Sequence, residues 1–242
     1  MIKVKDLKKV YKQVTVLDVV GLDIQRGECF GLVGNNGAGK TTLFRIMLDL
    51  VRATQGHVEI EGVDVTTDES WKRRVGAYLD EHMLLSYLTP TEYFETLRKM
   101  YGMSDNDLSL HLNKFEELFN GEILNAKKYI RDLSKGNQKK VGIVGALIGK
   151  PEIIILDEPF ANLDPSTQIK LKKLIREWSQ KEQVTFLISS HDLAHTTEVS
   201  NRIVLLNKGV VVKDIKTNPE TLQELENFFA GTVHEERQSV TE

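Results

Sequence analysis

One cysteine in 242 residues leaves nothing for an intrachain disulfide. That residue, Cys29, sits in the apolar stretch ECFGLVG, where an inert buried thiol is expected rather than a reactive one. Such sparing use suits a reducing compartment. Long apolar runs are missing as well: IIIL at Ile153–Leu156 is far short of a membrane span. The opening residues, MIKVKDLKKVYK, are charged from the third position and lack the apolar core of a secretory leader. A cytoplasmic protein is expected, with any membrane contact made through a partner. Charge of one sign is also absent: 32 basic against 35 acidic side chains give a net −3, which offers nucleic acid no global attraction. No repeat and no low-complexity linker interrupts the chain. What is present, 40% hydrophobic and 28% charged residues, is globular composition with enough length for a sizeable core.

The N-terminal part alternates β-rich runs with turns: IKVKDL, VTVLDVVGLDI, ECFGLVG and later HVEIEGVDV. The middle turns helical, approximately over 79–129. Thr89, Pro90 and Glu92 spell a capping box with proline at the first helical position, and Gly102 marks that helix's end. SDNDLSLHLNKFEELFNG reads as one further helix with Leu108, Leu112, Phe115, Leu118 and Phe119 on one face. Helices then alternate with the strands EIIILDE and VTFLISS, and a hairpin and a last helix follow. Apolar strands separated by helices predict a parallel sheet covered on both sides.

Gly34-Asn35-Asn36-Gly37-Ala38-Gly39-Lys40-Thr41, followed by Thr42, matches G-x-x-x-x-G-K-[ST] between a strand and a helix. Glycines let successive backbone N–H groups converge on the β- and γ-phosphates of a nucleotide, and the helix N-terminus adds positive potential. Lys40 neutralises phosphate charge, and the Thr41 hydroxyl is a ligand for Mg²⁺. IIILDEP supplies the complementary half. Asp157 ends an apolar strand where such sheets bind ligands and is expected to hold Mg²⁺, through water. Glu158, next in sequence, is placed as general base toward the attacking water. These motifs alone specify a nucleoside triphosphatase.

Leu133-Ser134-Lys135-Gly136-Asn137, upstream of the Asp-Glu strand, resembles the Leu-Ser-Gly-Gly-Gln signature of ATP-binding cassettes, the nucleotide-binding subunits of ABC transporters. The resemblance runs from Ile2 to roughly Lys213. It implies an α/β fold: a phosphate-loop core with a mixed, largely parallel sheet, an antiparallel β-subdomain and an inserted α-helical subdomain. It makes 1–231 one ATPase domain, with the helical subdomain at approximately 80–132, and leaves 232–242 as a polar tail. It implies Mg²⁺-dependent ATP hydrolysis by two chains, a second copy or a paralogue, that sandwich two ATP molecules. Ser134 and Gly136 of one chain would close on the γ-phosphate held by the other. Asp164 in FANLDP resembles the loop that reaches across that dimer, and His191 in ISSHDL the residue that contacts the γ-phosphate. Tyr11 holds the place of the aromatic that stacks on adenine; a half-buried strand tyrosine is the plain alternative.

Two departures stand out. Asp80, followed by Glu81, occupies the place of a glutamine that touches Mg²⁺ and senses the membrane partner, so Asp80 becomes a candidate metal ligand and coupling residue. Lys135 and Asn137 replace glycine and glutamine; Lys135 either attracts phosphate or is solvated. The Ser-Lys-Gly form resembles bacterial single-cassette subunits paired with separate integral permeases, often exporters. Met83, Leu84, Leu85 and Tyr87 are expected either to receive a permease helix or to serve as plain core. The resemblance thus implies an exporter's ATPase, peripheral on the cytoplasmic face of the membrane, with no nucleic-acid partner. The alternative, a soluble cassette ATPase acting on nucleic acid or ribosomes, would bring a tandem domain with a basic linker or an inserted coiled coil, and neither is present.

Overall fold

The β-branched N-terminal runs form β1 (Ile2–Tyr11) and β2 (Val14–Ile24), and β3 (Cys29–Val33) leads into helix α1 (Lys40–Met47). The structure, a computed structural model, describes residues 1–238. Next come β4 (Gln55–Ile60), β5 (Val63–Asp64) and β6 (Val75–Tyr78), then helices α2 (Pro90–Tyr101), α3 (Asp105–Asn113), α4 (Glu116–Phe119) and α5 (Lys135–Ala146). The remainder alternates as β7 (Ile153–Asp157), α6 (Pro165–Lys181), β8 (Thr185–Ser190), α7 (Leu193–Val199), β9 (Arg202–Asn207), β10 (Val210–Lys216) and α8 (Thr221–Gln238). Helix α8 continues past Gly231, through seven of the residues read as a polar tail, and 239–242 lie outside the described residues.

All ten strands join one sheet in the order β5-β4-β1-β2-β10-β9-β3-β8-β7-β6. The β9, β3, β8, β7 and β6 strands run parallel. The β1, β2, β4 and β5 strands pair antiparallel. Strand β10 bridges the two regions, antiparallel to β9 and parallel to β2 through Val210 and Asp18. This is the expected α/β class. Parallel register puts Val33 beside Ser190, and Asp157 beside Ser189, so three strands deliver their C-terminal ends to one edge.

Both faces of the central strands are dry, which explains their unbroken apolar runs. Ile153, Ile155 and Leu187 pack with α1 residues Leu43, Phe44 and Met47. The alternate residues Ile154, Leu156, Phe186 and Ile188 face the other way, into a cluster shared with Phe94, Phe115 and Phe119 of the helical segment. The helical segment therefore shares its core with the sheet. Helix α2 starts at the Thr89–Glu92 capping box and ends at Gly102 with φ 66°, as its sequence predicts.

The stretch read as one helix after Ser104 is two. A tightened turn, Lys114 N–H to His111 O at 3.1 Å and Phe115 N–H to Leu112 O at 2.9 Å, separates α3 from α4. The turn drives Phe115, fully buried, against Trp178 with 5.7 Å between ring centroids. His111 is enclosed there too, 4% exposed, with Nε2 unpartnered among the described residues. Burial, aided by the Lys114 and Lys150 charges, pushes its imidazole down to about 4. The unfolded chain binds this proton from about 6.5 downward and the folded chain only near 4, so folding weakens as pH falls through that window. His111→Gln should therefore lose less stability than the parent on acidification in urea titrations. Parallel losses in the two proteins would contradict a neutral buried imidazole.

Candidate active site

In the turn from β3 into α1, the backbone at Gly34 and Gly39 has no room for a side chain. A β-carbon on Gly34 would lie 2.3 Å from the Leu206 carbonyl oxygen of β9. Gly39, the α1 N-cap, has φ 106° and lends no side chain to the helix's first N–H groups. Those groups stay available to an anion. Lys40, 6% exposed, turns its ammonium back into the loop, donating to Gly34 O at 2.7 Å and Asn35 O at 3.3 Å. Asn36 to Thr42, with Val16 and Glu158, line a recess of about 350 Å³.

The end of β7 closes this recess. Asp157, 6% exposed, accepts from the Thr41 hydroxyl at 2.5 Å and, on its other oxygen, from the Ser189 hydroxyl. Glu158 sits in left-handed backbone, φ 48°, an unfavourable region for a residue with a β-carbon. Its N–H bonds Ser189 O at 3.1 Å and Ser189 Oγ at 3.2 Å, and its carbonyl accepts from Lys139 Nζ at 2.6 Å. Its carboxylate lies 2.9 Å from His191 Nδ1, accepts from Ser190 Oγ at 3.3 Å and stands 3.6 Å from Lys40 Nζ. Lys40, Thr41, Asp157, Glu158 and His191 are thus one connected group. Thr41 and Asp157 offer adjacent hard oxygens, a donor pair suited to Mg²⁺.

No described hydrogen bond joins Ser134, Gly136, Asp164, Tyr11 or Asp80 to this group. Ser134 caps α5, its hydroxyl accepting from Asn137 N–H at 3.2 Å. Gly136 passes so close to the Asn162 carbonyl that a β-carbon would lie 2.8 Å from its oxygen. Asp164 caps α6, and bonds from Ser166 and Thr167 hold its carboxyl well below the usual range. Tyr11 stands 45% exposed at the end of β1, beside Lys9. Asp80 spends one oxygen on Arg45 of α1 at 3.2 Å and the other on His82 N–H at 2.8 Å, so its partners here are protein groups. Lys135 is exposed to solvent and pairs there with Glu81. The apolar stretch after Asp80 divides: Leu84 is buried core and Leu85 packs against it, while Met83 and Tyr87 face outward.

Sequence reasoning missed Ser189, Ser190 and Lys139. The serine pair directly before His191 was a readable signal; a lysine in a charged helical stretch gave none.

A family model described as ABC transporter matches residues 17–161. The chain belongs to the ABC transporter family. It carries that family's ATP-binding, ATP-hydrolysing domain. The methionine import ATP-binding protein MetN of Carboxydothermus hydrogenoformans is 32% identical over 88% of this chain and 66% of its own. The chain thus spans just under two thirds of that relative. The lantibiotic transport ATP-binding protein SrtF of Streptococcus pyogenes is 32% identical over 94% of this chain and 96% of its own. Among solved structures, the dimeric post-hydrolysis state of the ATP-binding cassette MJ0796, bound to ADP and Pi, is similar with TM-score 0.80. It is 27% identical, covering 90% of this chain and 99% of its own.

Within this ABC domain, Lys40 is the buried cation that lines the recess. Lys40→Ala should lower ATP affinity by about 10- to 100-fold, the loss of one or more charge-assisted hydrogen bonds. Equal ATP affinity in parent and variant by calorimetry would remove the phosphates from this loop.

Proposed function

We propose that this chain is the ATPase subunit of a transporter, working as a dimer beneath an integral membrane permease. The observation that carries it is Glu158, whose carboxylate meets His191 and Lys40 at the mouth of the loop, one residue after Asp157. Phosphate oxygens replace the Gly34 and Asn35 carbonyls as partners of Lys40, which then neutralises the β- and γ-phosphates. Thr41 and, through water, Asp157 would hold Mg²⁺, which would supply further positive charge to those phosphates. Glu158 takes a proton from water as its oxygen bonds the γ-phosphorus and the bond to ADP breaks. His191, hydrogen-bonded to Glu158, orients that carboxylate and reaches the γ-phosphate. Tyr11 stacks on adenine.

A second copy, or a paralogue, completes each site. Ser134 and Gly136 stand apart from the loop of their own chain, and the helix N-terminus they form suits an anion presented from outside. Asp164 then lies near the same interface. The dimer of MJ0796 supports this arrangement. No described helix is long and apolar enough to cross a membrane, so attachment to the cytoplasmic face falls to the permease. Within the stretch after Asp80, Met83 and Tyr87 are the exposed apolar groups left for it, with Asp80 acting in coupling. Export rests on the Ser134-Lys135-Gly136 signature form, since an import subunit and a lantibiotic transport subunit match at the same 32%. A net charge of −3 disfavours the nucleic-acid alternative.

Glu158→Gln removes the base and spares binding, so ATP should accumulate this variant as a dimer in light scattering. A monomer at saturating ATP would overturn assembly around the nucleotide.

A further inference from the structure

Helix α5 carries more charge than its burial tolerates without partners. Lys139 and Lys140 are 9% and 4% exposed, and each ammonium needs an acceptor to remain charged there. Lys140 meets the Glu122 carboxylate at 3.2 Å in the helical segment. Lys135, one helical turn before Lys139 and on its face, meets Glu81. Lys139 has no carboxylate within ion-pair distance among the described residues and instead donates to the main-chain carbonyl of Glu158 at 2.6 Å. Desolvation lowers its pKa, while the nearby Glu158, Glu81 and Asp157 charges oppose that shift.

The acceptor is significant because of its conformation. Glu158 holds φ 48°, an unfavourable region for a residue with a β-carbon, so the surroundings must impose it. Ser189 fixes the N–H side of this residue and Lys139 fixes the carbonyl side. Between these two anchors the carboxylate is aimed at Lys40 and His191.

We infer that Lys139 is a positioning residue for Glu158, tying the signature helix of a chain to the catalytic carboxylate of that same chain. The inference rests on Glu158 being the general base. It adds a link within one protomer to the contact that Ser134 makes across the dimer. A shift of α5 that brings Ser134 to the partner's nucleotide also moves the anchor of its own base. The sequence offers no warning of this, since Lys139 sits in a run that reads as solvated charge.

Lys139 does not line the recess of the loop, so its loss should appear in turnover and not in binding. In steady-state Mg²⁺-ATP hydrolysis, Lys139→Met should lower kcat by about tenfold or more and leave KM for ATP within about twofold, the mark of a displaced catalytic group. Lys139→Arg, which keeps a donor of similar reach, should recover most of the lost kcat. Thermal melting and ATP binding of each variant identify the folded ones. If Lys139→Met does not fold, Lys139→Gln, a shorter neutral donor, should show the same split with a smaller loss. Parental kcat in a folded Lys139→Met or Lys139→Gln protein overturns the inference, as does a rise in KM that matches the fall in kcat. Glu158→Gln, measured alongside, separates the two claims. Parental turnover in that variant removes the base assignment itself, whatever Lys139 does.

Discussion

The Asp157 carboxylate, buried where β7 ends, is the point on which the site's arrangement depends. A buried anion with no partners would be costly, and the chain meets that cost with two hydroxyls from different elements: Thr41 in the first turn of α1 and Ser189 at the end of β8. Those bonds join the phosphate loop, the catalytic strand and the strand before His191. Parallel register brings the three ends level, and the hydroxyls convert that proximity into fixed geometry. Glu158 follows at once in left-handed backbone, so its carboxylate is turned toward Lys40 instead of continuing the strand.

Around that point charged side chains link separate elements. Arg45 of α1 meets Asp80, Glu81 meets Lys135, Lys139 meets the Glu158 carbonyl, and Lys140 meets Glu122. The segment after β6 is held further by main-chain bonds, Ile130 N–H to Leu88 O at 2.8 Å and Arg131 N–H to Ser86 O at 3.0 Å. It is thus connected to the phosphate-loop helix on one side and to the signature helix on the other. Outward-facing Met83 and Tyr87 sit on this connected segment.

Much of this was legible from local chemistry. The phosphate loop, the Thr89–Glu92 cap, the Asp-Glu strand end and the alternation of strands and helices all follow from spacing within a few residues, and spacing is what a sequence records. The break at Lys114 was not legible, because Phe115 leaves the helix to meet Trp178, which is distant in sequence. The partners of Asp80 and Lys135 were hidden for the same reason. A metal role for Asp80 is chemically sound, and nothing in its local sequence announces Arg45, from another element, as a partner of its carboxylate. Half of the apolar stretch after Asp80 is core and half is surface, a division that its composition alone does not express. Lys139 shows the limit most clearly: its burial and its carbonyl acceptor are properties of the packed helix.

We propose that Thr41 and Asp157 act as one unit in holding Mg²⁺ against the nucleotide. A double-mutant cycle on Mg²⁺-dependent ATP affinity, with Thr41→Ala and Asp157→Asn singly and together, measures this directly. The double variant should lose little more Mg²⁺ dependence than the more damaged single variant, a coupling of about 1–3 kcal/mol. Additive losses would mean that the two oxygens serve separate purposes and that the site is not built around Asp157.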